Sequence, residues 1–131
     1  MAQIIFFDAF VPDSVLGAFT ETPDQKTLQS WRRLYPMDPS APAQLPRGMA
    51  TVLLMRAYMH VVAPRPPGTI HAGQQLEMTA LPRPNEPVTT EVRCIGKQLR
   101  NGRRFVELAT QSRGEGGRPL FSGCLKLIWA A

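Results

Sequence analysis

The sequence predicts an α+β fold in which a curved antiparallel sheet wraps around one long apolar helix. The segment from about Gly48 to Val62 is apolar on nearly every side, whereas a surface helix has one apolar stripe and one polar face. Four long stretches of strand composition follow it and are separated by turn sequences. A curved sheet of such strands can cover most of the helix. The first helix, the N-terminal arm or a second copy of the chain would cover the rest.

The length and composition predict a single globular domain over residues 1–131. The chain has 44% hydrophobic and 19% charged residues, an ordinary globular composition. The apolar run Met49–Ala63 is shorter than the roughly 20 residues that a membrane span needs, and Arg56 and His60 interrupt it. The N-terminus has no charged region before its apolar residues and no signal-peptide pattern, so we expect a cytoplasmic protein with no membrane partner.

The elements before the apolar helix can be placed from local signals. The run "IIFF" near the N-terminus suits either a strand or an extended arm, and Val15–Thr20 is typical of a short strand. A helix should follow, with Thr22 as its N-cap and Pro23 in the first helical position. Pro36 should end it, and a proline-rich loop then leads to the apolar helix.

Strands are predicted for the second half of the chain. They are joined by "PRPNEP", "RNG" and "GEGG", which are turn compositions. For the hairpin we choose a three-residue loop, Arg100-Asn101-Gly102, because it places Val92 and Cys94 on the same face as Val106. The predicted strands are Gly73–Leu81, Val88–Leu99, Arg103–Arg113 and Pro119–Ala130.

The two cysteines are predicted to be free thiols. In the chosen register Cys94 and Cys124 lie two strands apart, about 10 Å, on opposite faces, and a disulfide needs Cα atoms within about 7 Å. No Cys or His spacing resembles a metal site, and the sequence has no glycine-rich phosphate loop or serine-elbow motif. We therefore expect no bound metal and no cofactor.

The net charge of +5 comes mainly from arginine and allows two interpretations. The arginines can form a solvated basic surface, or they can bind an anionic partner. Nucleic acid is not expected, because aromatic residues do not alternate with the arginines as stacking platforms would. The hairpin tip, residues 100–104, can either contact an acidic carrier protein or the phosphates of coenzyme A, or be only solvated.

Three sequence motifs, taken in order, resemble the MaoC-like family of hydratases and dehydratases, which has the hotdog fold. The letters "PRGMA" open the apolar helix, "AGQQL" (Ala72–Leu76) begins a strand, and "GGRPLFSGCLKLIWA" (Gly116–Ala130) resembles the closing strand. The resemblance covers about Phe19 to Ala130. It implies a curved antiparallel sheet around the helix and a double-hotdog dimer with its site at the interface.

The resemblance also implies a reaction, the reversible addition of water to a 2-enoyl thioester. The acyl chain would be carried by coenzyme A or an acyl carrier protein. Backbone N–H groups of Gly48 and Met49 would polarise the thioester carbonyl. In the family an Asp and a His hold and activate the water. Asp38 corresponds to that Asp, but Ala43 stands at the position of the His, and Arg47 replaces a second family His.

Each candidate site residue keeps an ordinary structural alternative. Asp38 can be a turn residue before Pro39, a lone general base, or the remnant of the Asp/His pair. Gly48 can simply allow a tight entry into the helix. Arg47 can bind a phosphate, the thioester or a carboxylate, or be a solvated loop charge.

The two histidines and Arg56 are not expected to be catalytic. His60 is predicted to be a core or dimer-interface residue, and His71 a loop residue or, alternatively, a ligand contact. Arg56 should reach solvent or pair with a carboxylate across an interface.

Three functions remain open on the sequence alone. The first is an enoyl-thioester hydratase or dehydratase with a changed active site. The second is a non-catalytic hotdog subunit that forms a homodimer or a heterodimer with a catalytic homologue, which the missing His favours. The third is an acyl-CoA thioesterase that uses Asp38.

Overall fold

A computed structural model describes residues 3–131. Five antiparallel strands form one sheet in the order β1-β3-β4-β5-β2, so β1 and β2 are the two edge strands. Two α-helices lie between β1 and β2 in the sequence. The elements are β1 Ser14–Glu21, α1 Gln25–Leu34, α2 Arg47–Val61, β2 Ile70–Met78, β3 Val88–Arg100, β4 Arg103–Arg113 and β5 Pro119–Trp129. This is the predicted sheet-around-a-helix architecture.

The apolar helix α2 lies against the concave face of the sheet. Gly17 of β1 and Gly123 of β5 have no side chain at the points where α2 comes closest. A Cβ atom on Gly123 would lie 2.5 Å from Leu54 Cδ1, and one on Gly17 would lie 3.1 Å from Val61 Cγ1. The glycines therefore let the helix pack closely on the sheet. Six residues of α2 are buried: Met49, Ala50, Leu53, Leu54, Ala57 and Tyr58.

The N-terminal segment is the arm of the two predicted alternatives. The Ile5 N–H donates to the Pro64 carbonyl at 3.0 Å, and the Phe7 N–H donates to the Ala131 carbonyl at 2.8 Å. The indole N–H of Trp129 donates to the Ile5 carbonyl at 2.8 Å. The arm thus closes the end of the core beyond the C-terminus of α2.

Helix α1 begins two residues later than predicted. Its N-cap is Asp24, whose carboxylate accepts the Thr27 N–H at 2.8 Å, so the prediction of Thr22 as cap and Pro23 as first helical residue is wrong. Asp is as good a cap as Thr, and Asp24 is the residue that reaches the first turn. Arg32 and Arg33 lie in the last turn, where positive charge complements the helix dipole.

The hairpin between β3 and β4 reaches the predicted register by a different route. Arg100 pairs with Arg103, so the loop is the two-residue Asn101-Gly102 turn, and the predicted three-residue loop is wrong. Both turn residues have positive φ, 53° and 73°, as a type I′ turn requires. A β-bulge between Cys94 and Gly96 then shifts the pairing by one residue. As a result Val92 and Cys94 still face the core.

Both thiols are free, as predicted. Cys94 is buried in the core, and the half-buried Cys124 lies on the other face, 3.3 Å from Glu107 Oε1. Burial raises the pKa of both thiols above its ordinary value. A raised pKa leaves little thiolate at neutral pH, which makes both groups unreactive.

Glu86 is a buried carboxylate that ties together two connections at one end of the sheet. It is only 3% exposed. Its Oε1 accepts the Arg83 N–H and an N–H of the Arg118 guanidinium, and its Oε2 accepts the Glu115 N–H at 2.9 Å. Burial alone would raise the pKa of Glu86, but these hydrogen bonds and the Arg118 charge outweigh it and hold the pKa below its ordinary value of 4.5.

The lowered pKa gives a testable pH dependence. The unfolded chain binds a proton at Glu86 more readily than the folded chain, so the stabilisation is fully present above the ordinary pKa of 4.5 and is lost as pH falls through the folded pKa. We expect Glu86→Gln to lower the free energy of unfolding by about 1–3 kcal/mol at neutral pH and to weaken the acid-induced loss of stability. Urea unfolding at pH 7 and pH 3.5 measures both effects.

The matched control is the exposed Glu91 of β3. Glu91→Gln should change the stability by less than about 0.5 kcal/mol at either pH. Equal effects of the two substitutions would contradict the role given to Glu86.

Candidate functional site

Helix α2 begins without a cap of its own. Its N-cap residue, Pro46, makes no side-chain hydrogen bond to the first turn. Asp38 supplies the missing acceptor from the proline-rich loop, because its Oδ2 accepts the Gly48 N–H at 2.9 Å. A carboxylate at this point also interacts favourably with the positive end of the helix dipole.

Trp31 of α1 holds the same carboxylate oxygen. Its indole N–H donates to Asp38 Oδ2 at 3.0 Å, and its ring stacks obliquely on Tyr35, with 4.4 Å between the centroids. The other oxygen, Oδ1, has no hydrogen-bond partner among residues 3–131. The carboxylate is therefore fixed by two donors and keeps one oxygen for water or a ligand. No sequence pattern predicted the contact with Trp31, which lies seven residues before Asp38 on a different element.

Gly48 is required by close packing at this junction. A Cβ atom there would lie 2.4 Å from Trp31 Cζ2 and 2.6 Å from Asp38 Oδ2. Neither contact is possible for real atoms, and both neighbours are held by their own hydrogen bond. The tight packing that requires glycine at position 48 is therefore packing against the candidate site itself.

The predicted pair of carbonyl-polarising amides lies at the start of α2, but both amides have acceptors within the chain. The Gly48 N–H donates to Asp38, and the Met49 N–H donates to the Pro46 carbonyl at 3.1 Å. The side chain of Met49 is buried in the core. A thioester oxygen that binds the Gly48 amide must therefore replace the Asp38 carboxylate.

Arg47 is the exposed first residue of α2. The ion pairs among residues 3–131 are Arg56 with Glu21 and Arg118 with Glu86, so Arg47 has no carboxylate partner in that range. Arg47 directly precedes Gly48, whose N–H holds the Asp38 carboxylate, and its exposed guanidinium can bind an anionic group from solvent. The candidate site thus combines a fixed carboxylate, a helix N-terminus and a free cation.

The histidines lie away from this junction. His60 is in the last turn of α2, about 18 Å along the helix from Gly48. It is exposed and packs on the Phe19 ring at 4.2 Å between centroids, so it is not a core residue. His71 lies within β2 rather than in a loop, with its ring 6.4 Å from that of the buried Tyr58.

Arg56 reaches solvent, as one of its two predicted alternatives stated, and its carboxylate partner belongs to its own chain. Its Nε lies 2.9 Å from Glu21 Oε1 of β1.

Among residues 3–131, no three His, Cys, Asp or Glu side chains come together as a metal site would need. In the same range no helix is long and apolar enough to cross a membrane.

The packing at Gly48 yields a prediction about stability. Alanine is the better helix former by about 1 kcal/mol, yet we expect Gly48→Ala to destabilise the protein by about 1–3 kcal/mol because its Cβ must push Trp31 and Asp38 apart. Thermal unfolding measures the change. Gly96→Ala is the matched control, because a Cβ there would meet no atom within 4 Å, and it should shift the midpoint little. A Gly48→Ala protein as stable as wild type would contradict the described packing.

Comparison with known proteins shows similarity in structure but not in sequence. No protein-family model matches the chain, and no curated protein sequence matches it. A MaoC-like dehydratase from Rhodospirillum rubrum superposes with a TM-score of 0.82 at 13% identity, covering 95% of this chain and 96% of that one.

Two further solved structures are a hydratase and a dehydratase by name. The R-hydratase PhaJ1 from Pseudomonas aeruginosa has a TM-score of 0.72 at 19% identity, with 94% of this chain and 84% of that one covered. The HadBC complex from Mycobacterium tuberculosis, a 3R-hydroxyacyl-ACP dehydratase, has a TM-score of 0.66 at 10% identity and covers 84% and 90%. Thioesterases are also among the matching structures. The predicted fold is confirmed: this chain has the hotdog fold that MaoC-like dehydratases share.

Proposed function

We propose that the chain binds an acyl thioester of coenzyme A or of an acyl carrier protein, with the thioester at the N-terminus of α2. The observation that carries the proposal is the anchored Asp38 carboxylate, which lies on the first turn of a helix buried in a hotdog sheet. The hydratases and dehydratases of the same fold support the substrate class. The proposed compartment is the cytoplasm.

Within this class we propose that the chain is an enoyl-thioester hydratase or dehydratase. The Oδ1 atom of Asp38 takes a proton from water while the water oxygen bonds to the β-carbon. The electron pair of the double bond moves to the thioester oxygen, and the resulting enolate takes a proton at its α-carbon. Asp38 can return the proton it removed, so one carboxylate balances the reaction without a His.

The hydrogen bond between Asp38 and Gly48 gives this mechanism a physical rationale. A protonated carboxyl accepts hydrogen bonds more weakly than a carboxylate does. When Asp38 takes the proton from water, its hold on the Gly48 N–H weakens just as negative charge develops on the thioester oxygen. The amide then becomes available to that oxygen, and the Arg47 guanidinium adds a positive charge beside it.

The non-catalytic subunit remains the second candidate. Two observations favour it: the loop before α2 contains no His, and the Gly48 and Met49 amides already have acceptors. A thioesterase that uses Asp38 is a third candidate, because a single fixed carboxylate can also activate water for hydrolysis.

Hydration of a panel of 2-enoyl-CoA thioesters separates these candidates. We expect turnover by wild type and a loss of at least about 100-fold in Asp38→Asn, which keeps an oxygen to accept the Gly48 N–H but cannot take a proton. Asp38→Ala removes the cap as well and should also lower the stability by about 1 kcal/mol. Loss of the double-bond absorbance reports hydration, and thiol release reports hydrolysis.

The outcomes have different meanings. Thiol release that depends on Asp38 would replace the hydratase by the thioesterase. Binding of the thioesters without either reaction would identify the non-catalytic subunit. The absence of binding, with an unchanged fold, would contradict the proposed function itself.

We also propose that the chain forms a two-fold dimer through the open side of the sheet. In the described chain the side of α2 that faces away from the sheet carries Val52 and Met59, 39% and 51% exposed. The neighbouring edge strand β2 begins with Ile70, which is 55% exposed. A second copy that pairs β2 with β2 would cover both features and extend the sheet.

This dimer can be tested by its mass in solution. We expect wild type to sediment as a dimer and Met59→Glu to shift toward the monomer at micromolar concentration, because a carboxylate would be buried without a partner. Leu99→Glu changes an exposed apolar residue at the far hairpin, 65% exposed against 51% for Met59, and should leave the dimer intact. A wild-type monomer, or a dimer that Met59→Glu does not weaken, would contradict the proposed interface.

A further inference from the structure

The β3–β4 hairpin tip carries positive charge without compensation. Arg100 and Arg103 are paired directly across the Asn101-Gly102 turn, and Arg104 is next in sequence. Like charges opposite one another on two strands destabilise a hairpin. Arg104 donates to the Ala130 carbonyl, whereas Arg100 and Arg103 have no carboxylate partner within residues 3–131. The tip is therefore suited to an anionic ligand.

A cleft beside the tip adds groups that suit a phosphorylated ligand. It has a volume of about 350 Å³ and is lined by Gln98, Phe105 and Lys126, among others. The Arg100 guanidinium lies over the Phe105 ring, 5.0 Å from its centroid. Glu107 also lines the cleft, so an anion is expected at the arginine end of it rather than throughout.

The tip does not belong to the thioester site of its own chain. Strand β3 begins at Val88, at the end of the sheet where the Leu45 N–H donates to the Pro82 carbonyl just before α2. The strand runs 13 residues to Arg100, about 40 Å along its length. Asp38 and the tip therefore lie at opposite ends of the sheet.

The proposed dimer reverses this relation. If the two β2 strands pair around a two-fold axis, they run antiparallel, and Ile70 of one copy lies near Met78 of the other. Ile70 is at the tip end of the sheet, and Met78 is at the end where α2 begins. The tip of one copy then lies at the same end as the Asp38 of the other. In the extended sheet the partner's β2 lies three to four strand spacings, roughly 15–20 Å, from the tip.

We infer that the arginine tip of each copy binds the phosphate end of the coenzyme A whose thioester lies at the Asp38 of the other copy. The inference rests on the proposed function. It assigns Arg100 and Arg103 a binding role in trans and names coenzyme A, rather than an acidic carrier surface, as the ligand. The long pantetheine arm would span the gap between the two groups of residues.

Calorimetric titration with coenzyme A and with 3′-dephospho-coenzyme A tests the ligand. We expect Arg100→Gln/Arg103→Gln to raise the Kd for coenzyme A about tenfold. The loss of affinity should be smaller for the dephospho form, which lacks one phosphate. Arg93→Gln/Arg113→Gln removes the same charge from the outer face of the sheet and should change the Kd less than about twofold.

The outcomes separate the two proposals. If wild type binds neither compound, the proposed function fails. If wild type binds but the tip variant and the control bind equally well, this inference fails and the proposed function stands. The same variants are also titrated with an acyl carrier protein, and a tip variant that loses affinity for that protein but not for coenzyme A would overturn the choice of coenzyme A.

Mixed dimers test the arrangement in trans. One chain carries Arg47→Glu, which as a homodimer should bind coenzyme A weakly, and the other carries Arg100→Gln/Arg103→Gln. If the tip acts in trans, one of the two sites has both an intact Arg47 and an intact tip, so half of the sites bind with the wild-type Kd. If the tip acts within its own chain, no site is intact, and the absence of wild-type affinity would overturn the inference.

Discussion

A helix that is apolar on nearly every side must be covered on nearly every side, and this constraint determines the architecture. The sheet supplies most of the cover for α2, and two glycines of the sheet allow the helix to approach closely. The N-terminal arm closes one end of the core. The other end is where the helix begins, and there the covering material is polar: a carboxylate and an indole N–H rather than more apolar side chains.

This polar end is both a structural necessity and the candidate site. The first amides of a helix need acceptors, and Pro46 cannot supply one from a side chain. Asp38, ten residues before Gly48, accepts the Gly48 N–H. Its carboxylate therefore lies at the positive end of the helix dipole. The same oxygen that stabilises the helix occupies the amide that a thioester carbonyl would use. Competition between ligand and carboxylate for that amide is therefore part of the chemistry that we propose.

The sequence predicted the sheet well because alternation of apolar residues determines which face of a strand is buried. It predicted the face of Val92 and Cys94 correctly and the loop incorrectly. A three-residue loop gives these residues the same register as a two-residue turn combined with a bulge in β3. Only the φ angles of Asn101 and Gly102 and the bulge before Gly96 distinguish the two. Resemblance to a family placed Asp38, Gly48 and Met49 at one site. The contact with Trp31 could not be foreseen, because it depends on how an irregular proline-rich loop returns to α1.

The most direct test of the account is the amide resonance of Gly48 in a two-dimensional ¹⁵N–¹H spectrum during titration with butanoyl-CoA, a saturated thioester that cannot be hydrated. Binding at the start of α2 replaces or perturbs the Asp38 acceptor, so the account predicts that Gly48 and Trp31 Nε1–H are among the resonances that shift most. Saturable shifts confined to other parts of the chain, with Gly48 and Trp31 unchanged, would contradict it.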